Sequence, residues 1–226
     1  MFAQSRWILS LLLAASFVLA GCDSAPAPMT PSQIQAAVGT RAFIKRHGQE
    51  IVAEITNTTD KLVTTEFHWH GEMMAKRHYY RGLYPVAGTE YGYQFEMDFD
   101  EQSLEQLFPM AVGKEVSFNG NLKIIDRGAA LDAWVHLAVV GEKTIDLSTG
   151  SHHVFVVDIM TEYRKDGVVK RKTNVVYYAP DLSMLLKSVV HEDGQQSYWR
   201  VVSVEQPGAA RVRPINKNNK SGTVMI

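Results

Sequence analysis

Apolar residues recur at every second position over long stretches of this chain, and that alternation restricts it to β-structure more than any other feature. It is clearest in residues 152–164, where one face carries His153, Phe155, Val157, Ile159 and Tyr163. A period of two residues places these side chains on a single side of a strand. Lys165-Asp166-Gly167 follows, and Asp-Gly between two alternating runs is a strong hairpin signal. Residues 152–178 are therefore predicted to form an antiparallel hairpin.

The same alternation predicts further strands on both sides of one short helix. The strands are expected near residues 51–56, 63–70, 76–84, 91–99, 114–119, 121–126, 133–140, 142–147, 185–191 and 197–205. The helix is expected over 100–108, with Asp100 or Ser103 as its cap and Pro109 as its stop. Short connections favour antiparallel neighbours over crossovers. We therefore expect an all-β, mainly antiparallel fold, a strongly curved sheet or open barrel with one or two short helices.

The first 21 residues have the three zones of a secretory signal peptide. Residues 1–6 are short and polar with one positive side chain, residues 7–19 are almost wholly apolar, and small residues follow. The apolar run is shorter than the roughly 20 residues that a transmembrane helix needs. Residues 1–21 are therefore predicted to be removed on export.

The end of that segment resembles the lipobox of bacterial lipoproteins. It reads Leu19-Ala20-Gly21-Cys22, and Cys22 is the only cysteine of the chain. The resemblance implies that the chain is cut before Cys22, which then carries fatty chains such as palmitate. Two or more such chains hold a protein stably on a bilayer. Asp23 resembles the signal for retention in the inner membrane, so we expect a lipid anchor on the periplasmic face of the cell envelope, with the inner membrane favoured.

Composition divides the chain behind the predicted cleavage site into three parts. Residues 22–38 hold the lipidated cysteine and a Pro-rich segment, which is expected to be an extended tether. Residues 39–206 carry the predicted strands. Residues 207–226 lack the apolar surface that offsets ordering entropy, so we expect a disordered tail. The formal net charge of −1 gives no electrostatic footprint for nucleic acid.

Residues 104–205 resemble uncharacterised periplasmic β-rich envelope proteins. The resemblance rests on four segments, which are Leu104-Glu-Gln-Leu-Phe-Pro-Met-Ala-Val-Gly113, Tyr177-Tyr178-Ala179-Pro180-Asp181, Leu186-Lys187-Ser188 and Tyr198-Trp199. It implies a curved antiparallel sheet or open barrel, broadly like envelope folds that handle lipids, and it supplies no catalytic residue. The chain departs from the pattern at Gly150-Ser151-His152-His153, where those proteins often have Gly-Thr-Phe.

Two histidines are the candidate metal ligands. His68 and His70 are two residues apart on a predicted strand, so they would share one face beside Glu66. Imidazoles with a carboxylate can bind zinc or copper. The polar face of a strand is also where surface histidines ordinarily fall, and no second motif has metal-ligand spacing. Metal binding is therefore the minor interpretation, and no cofactor is expected.

An aromatic face is the candidate ligand-binding site. Residues 91–99 alternate through Tyr91, Tyr93, Phe95, Met97 and Phe99. The simpler interpretation is that this face belongs to the core of the sheet. The alternative is an apolar groove for an acyl chain or for the apolar segment of a partner. The residues proposed to line that groove are Tyr91, Tyr93, Phe95, Tyr178 and Trp199.

No catalytic motif is present in the sequence. It contains no Gly-x-Ser-x-Gly elbow and no glycine loop that would cradle a phosphate. We therefore expect a non-catalytic, membrane-anchored lipoprotein that binds or supports an envelope protein partner. The alternative is a carrier or sensor of a hydrophobic or lipid ligand in the concave face of the sheet. A metal-dependent or hydrolytic enzyme is the third hypothesis.

Overall fold

A computed structural model describes residues 36–90, 92–165 and 167–208. The strands are β1 (Arg41–Arg46), β2 (Gln49–Thr58), β3 (Leu62–Trp69), β4 (Glu72–Tyr80), β5 (Tyr84–Glu90), β6 (Tyr93–Phe99), β7 (Glu115–Ile124), β8 (Ala129–Leu147), β9 (Gly150–Lys165), β10 (Val168–Ala179), β11 (Met184–Glu192) and β12 (Gln195–Glu205). Helix α1 (Glu101–Glu105) lies between β6 and β7, and a 3-10 turn (Ile125–Arg127) joins β7 to β8. The expected signal peptide, Cys22, most of the tether and nearly all of the tail lie outside the described residues.

The twelve strands form a closed barrel in which every strand is antiparallel to its neighbours along the chain. The last pairing joins β1 to β12, with Arg41 opposite Glu205. The predicted all-β antiparallel class is confirmed, and the curvature continues until the sheet has no free edge. Because the strand number is even, the chain enters and leaves the barrel at the same end, here called the terminal end. The opposite end is the distal end.

Bulges and tight turns account for the closure. The register shifts between Phe67 and His68 in the β3–β4 pair, and again between Val139 and Gly141 in the β8–β9 pair. A bulge bends its strand and increases the local twist, which curls a sheet towards closure. Sequence alternation does not reveal a bulge, so residues 133–140 and 142–147, predicted as two strands, form the single long strand β8.

The terminal end is covered by the connection between β6 and β7. Asp100 caps α1, because its side chain accepts hydrogen bonds from the Gln102 backbone N–H at 3.0 Å and from the Ser103 hydroxyl at 2.6 Å. The helix is shorter than predicted, but it places Leu104 and, just beyond it, Leu107 in complete burial. These two leucines fix the loop 100–114 on the barrel.

Two turns meet across the terminal end. The β4–β5 turn contains Gly82, and a Cβ atom at that position would lie 1.8 Å from the carbonyl oxygen of Ser183 in the β10–β11 turn. The Tyr178 hydroxyl donates a hydrogen bond to the Arg81 carbonyl oxygen at 2.7 Å. The β4–β5 and β10–β11 hairpins lie six strands apart in a twelve-stranded barrel, so the contact between their turns joins opposite walls.

The interior is filled by two apolar clusters. The first joins the loop 100–114 to β4, β5 and β7–β10, and it includes Tyr80, Leu137 and Val157. The second joins β1–β3 to β10–β12, and it includes Ile55 and Leu186. Burial of apolar area of this kind is the main stabilising contribution to the fold.

Candidate functional site

The five predicted ligand-binding aromatics are not gathered into one groove. Tyr91 lies outside the described residues. Phe95 is half-buried on the same face of β6 as buried Met97, and Trp199 is half-buried on the same face of β12 as buried Val201. These two side chains therefore face the barrel interior.

The other two predicted aromatics have different environments. Tyr178 is 4% exposed at the terminal end, and burial raises the pKa of its phenol. Tyr93 is 43% exposed at the distal end, where the Arg127 guanidinium lies 4.0 Å from its ring centroid. Tyr178 serves the core and the contact between opposite walls, whereas Tyr93 is a surface residue.

A small cavity lies beside Trp199. Its volume is about 20 Å³, and Phe67, Tyr79, Met184 and Trp199 are among the residues that line it. That volume suits a single water molecule. An acyl chain would enter here only after the surrounding side chains had moved.

The expectation that His68 and His70 share one strand face is wrong, and metal binding by these residues stays a prediction. Strand β3 ends at Trp69, and His70 occupies the turn to β4 with a φ of 52°. The His70 ring lies 4.8 Å from the Trp69 ring, whereas His68 pairs with Glu66 at 3.7 Å. The strand ends at Trp69, one residue before His70, so the alternation that would place both imidazoles on one face does not extend to His70. Within residues 36–90, 92–165 and 167–208, no three His, Cys, Asp or Glu side chains are grouped to hold a metal ion.

Exposed apolar side chains surround the distal end of the barrel. Seven of the large apolar residues that are exposed in the described part of the chain lie beside the turns of that end, and all are at least 41% exposed. This set, here called the distal rim, comprises Trp69, Met73, Tyr93, Ile125, Val168, Val169 and Tyr198. A collection of exposed apolar side chains at one end of a molecule is typical of an interaction site.

The distal rim was missed by sequence analysis, although a signal for it exists. Val168 and Val169 directly follow the turn glycine Gly167, and Tyr93 directly follows Gly92. Trp69 directly precedes the His70-Gly71 turn. Alternation assigns such residues to strands without distinguishing a strand centre from a strand end. Apolar side chains adjacent to turn residues in several hairpins would have been the better indicator.

An ion pair lies inside the barrel near the distal end. The Arg77 guanidinium donates to a Glu90 carboxylate oxygen at 2.5 Å and lies 5.3 Å from the Phe67 ring centroid. Burial opposes the charge of Arg77, but Tyr79 and Glu90 outweigh it and raise the pKa. Cross-strand pairing places Arg77 opposite Thr65 and Gly88. The pair satisfies a charge that would otherwise be costly to bury.

A second ion pair fastens α1 to the β4–β5 turn. Arg81 donates two hydrogen bonds to Glu105, from Nη2 at 2.5 Å and from Nε at 3.0 Å, and the Tyr80 hydroxyl donates to the same carboxylate. Burial alone would raise the pKa of Glu105, but the bonds from Arg81 and Tyr80 outweigh it and lower the pKa. Lys61 pairs with Glu101 beside this group. The arrangement closes the terminal end and gives Glu101 and Glu105 each a basic partner.

The two ends differ in charge as well as in polarity. At the terminal end, the loop 100–114 and the first residue of β7 carry Asp100, Glu101, Glu105 and Glu115 against Lys114, and Lys61 and Arg81 pair with Glu101 and Glu105. At the distal end, the 45–50 turn has two bases and one acid, and the 123–127 turn has the same balance. Among the other distal acids, Glu192 and Asp193 are each paired with a lysine of β10, Glu90 is paired with Arg77, and Glu72 follows the β3–β4 turn. The terminal end is therefore the more acidic of the two.

Among the described residues, no helix has both the length and the apolar character required to cross a membrane.

Comparison with known proteins identifies similar folds but no similar sequence. No protein-family model matches the chain, and no curated protein matches it either. The hypothetical lipoprotein YmcC from Escherichia coli is 10% identical with a TM-score of 0.51, and the alignment covers 78% of this chain and 90% of that one.

Two further structures match over a similar share of the chain. One, from Bacteroides fragilis, is described as an exported protein with a YmcC-like fold, with 11% identity, a TM-score of 0.42 and coverage of 78% of this chain and 98% of that one. The other, a lipoprotein from Parabacteroides distasonis, has 11% identity, a TM-score of 0.42 and coverage of 75% and 96%. The similarity to YmcC, at 10% identity, concerns the fold alone.

Proposed function

We propose that this chain is a lipid-anchored, non-catalytic protein of the bacterial cell envelope that docks onto an envelope component through its distal rim. The anchor is Cys22, behind the signal peptide 1–21, and Asp23 favours the periplasmic face of the inner membrane. The lipobox supports this placement, and the described fold resembles that of a lipoprotein, YmcC. The barrel then acts as a body that is fixed at one end and binds at the other.

The position of the distal rim carries this proposal. Both ends of the barrel chain lie at the terminal end, where Arg41 pairs with Glu205. The exposed apolar residues lie at the opposite end, on side chains such as Met73, Val168 and Val169, which are 55–58% exposed. Keeping such groups in water is unfavourable, so their collection at one end suits a contact surface.

The partly buried charged side chains Glu105 and Arg77 are held by structural partners, which supports a non-catalytic role. Glu105 is engaged by Arg81 and Tyr80, and Arg77 is engaged by Glu90. Each pair joins two elements of the barrel. A catalytic acid or base needs a pKa poised near the working pH and an accessible position, whereas the pKa of Glu105 is moved away from neutrality.

The anchor is tested by mass spectrometry of the native protein and of a Cys22→Ser variant. We expect the native chain to begin at Cys22 with fatty chains attached and to pellet with membranes. The variant should lose the lipid. It should be released from the membrane fraction when docking through the distal rim is also blocked. An unmodified residue 22, or a leader still attached, would contradict the anchor.

A hydrophobic ligand inside the barrel is the second candidate function. The observation that favours it is the half-buried state of Phe95 and Trp199, which face the interior. A fluorescent fatty acid titrated into the purified protein should then be displaced by unlabelled fatty acid and should bind more weakly to a Trp199→Ala variant. Binding that is unaffected by this variant, or absent altogether, would rule the interior out.

A further inference from the structure

We infer that the envelope component contacted by the distal rim is a lipid bilayer, so that the barrel rests with its distal end in the membrane–water interface. The inference rests on the proposed docking function and names its partner. A protein groove is the competing occupant, and the arrangement of the rim argues against it.

The rim encircles the barrel instead of forming a patch on one wall. Its members come from β3, β4, β6, β10, β12 and the turn between β7 and β8. Two rim aromatics lie beside histidines of the adjacent turns: the ring centroids of Tyr198 and His47 are 6.3 Å apart, and those of Trp69 and His70 are 4.8 Å apart. Side chains on all sides of one end of a barrel contact a flat surface together, and a bilayer offers such a surface.

The composition of the rim matches that of a membrane interface. Trp69, Tyr93 and Tyr198 are amphipathic aromatics, which favour the level of the lipid headgroups. Val168 and Val169 are aliphatic and nearly 60% exposed, so transfer of each side chain from water to the membrane is favourable. Arg127 lies against the Tyr93 ring, where its charge can remain in the headgroup layer while the ring inserts.

The charge difference between the two ends also favours an orientation with the distal end towards the membrane. At the terminal end, the acids of residues 100–115 outnumber Lys114 and the paired bases Lys61 and Arg81, so anionic headgroups would repel that end. The distal turns carry Lys45 and Arg46 against Glu50, and Lys123 and Arg127 against Asp126. The distal end can therefore approach an anionic bilayer without the repulsion that the terminal end would meet.

The length of the N-terminal segment permits this orientation on the membrane that holds the anchor. Residues 22–38 could reach at most about 60 Å if fully extended. Strand β12, with 11 residues, is about 36 Å long. The segment is thus longer than the wall formed by β12, which adjoins the N-terminal strand β1, so a Cys22 anchor and a distal rim can contact one bilayer at the same time.

Vesicle binding by a chain without its lipid anchor tests the inference. The mature chain with Cys22→Ala is mixed with vesicles of phosphatidylethanolamine and phosphatidylglycerol, and the bound fraction is measured by flotation. We expect binding that falls about tenfold for Val168→Asn with Val169→Asn and rises for Val168→Leu with Val169→Leu. The matched control is Val38→Asn with Val112→Asn, two valines of similar exposure at the terminal end, and it should bind as the parent does.

Circular dichroism and thermal unfolding confirm that each variant keeps its fold. The inference is overturned if the parent chain does not float with vesicles, or if the terminal-end control loses binding as strongly as the rim variant. A photo-crosslinker at Val168 in native envelopes separates this failure from that of the proposed function. Adducts with lipid support the inference; adducts with one protein alone would overturn it and leave the docking function in place; no adduct, together with no flotation, would overturn both.

Discussion

At the scale of single residues, Gly82 shows how closely opposite walls of the barrel approach. Its φ is +76°, and a Cβ atom would overlap the backbone of Ser183. Two costs therefore combine at this position, a backbone conformation that favours glycine and a steric conflict with another turn. No flexible side-chain end is available to move aside, because the obstructing atoms belong to the Ser183 main chain.

Replacing Gly82 by alanine should therefore destabilise the barrel by about 2–4 kcal/mol. The matched control is Gly48→Ala, because Gly48 has a similar φ of +81° but nothing within 4 Å of the added methyl group. That control should lose only about 1 kcal/mol. Urea unfolding of both variants measures the difference, and equal losses would show that the two turns do not press on each other.

Glu105 is the residue at which stability should depend on pH. Its pKa is lowered in the folded chain, because the bonds from Arg81 and Tyr80 outweigh the opposing effect of burial. Stabilisation by this group is then fully present above the pKa of an unfolded glutamate and is lost as the pH falls through the lower folded value. The carboxylate is partly exposed, which reduces the effect.

A Glu105→Gln variant should lose about 1 kcal/mol at neutral pH. It should also show a smaller loss of stability than the parent chain between about pH 5 and pH 3. Chemical unfolding at several pH values provides the comparison, with Glu101→Gln as a control on the exposed side of the same helix. A parent and a Glu105 variant with parallel pH profiles would show that this carboxylate is not the titrating group.

At the scale of secondary-structure elements, the loop 100–114 depends on two buried leucines more than on its short helix. A helix of five residues has little stability of its own. Leu104 and Leu107 are completely buried against the first apolar cluster. Packing, with the cap at Asp100 as a smaller contribution, therefore holds this cover in place.

Leu104→Ala should cost about 2–5 kcal/mol, because it leaves a cavity between the loop and the barrel. Gln102→Ala, on the exposed side of α1, should change stability by less than about 0.5 kcal/mol. Thermal unfolding followed by circular dichroism distinguishes the two variants. A small loss for Leu104→Ala would mean that the loop is not part of the cooperative fold.

The elements also show what the sequence could and could not predict. The β9–β10 hairpin was predicted because alternation and the Asp166-Gly167 turn agree locally, and the structure pairs these strands throughout. The single strand β7 (Glu115–Ile124) was predicted as two, because Gly120 resembles a break. The Gly120 backbone instead lies against Met97 and Phe99, where a Cβ atom would be 2.9 Å from the Met97 sulfur atom.

The candidate site was harder to predict than the strands, for reasons of geometry. Phe95 and Trp199 do face the interior, as alternation implies, but Tyr178 is placed by a turn contact that no local pattern reveals. His70 was assigned to a strand because the turn begins one residue before its glycine. Closure itself depends on pairing Arg41 with Glu205, residues so distant in sequence that no periodicity connects them.

At the scale of the whole molecule, the barrel has a well-packed end and a less tightly packed end. Phe155 and Val157 of β9 are buried in the first apolar cluster, whereas Thr161 and Tyr163, further towards the distal end, are only half-buried. The two walls are joined directly at the terminal end by the Gly82–Ser183 contact. Local opening costs least where apolar contacts are fewest.

Native-state hydrogen exchange should therefore begin at the distal end. Amides at 161–164 should exchange at least about tenfold faster than those at 155–157, although both groups belong to one strand with the same neighbours. Bound vesicles should slow the distal amides selectively if the rim contacts a bilayer, because opening would then have to withdraw apolar side chains from lipid. Uniform exchange along β9 would show that the barrel opens as a single unit, and equal protection of both ends by vesicles would place the membrane contact elsewhere.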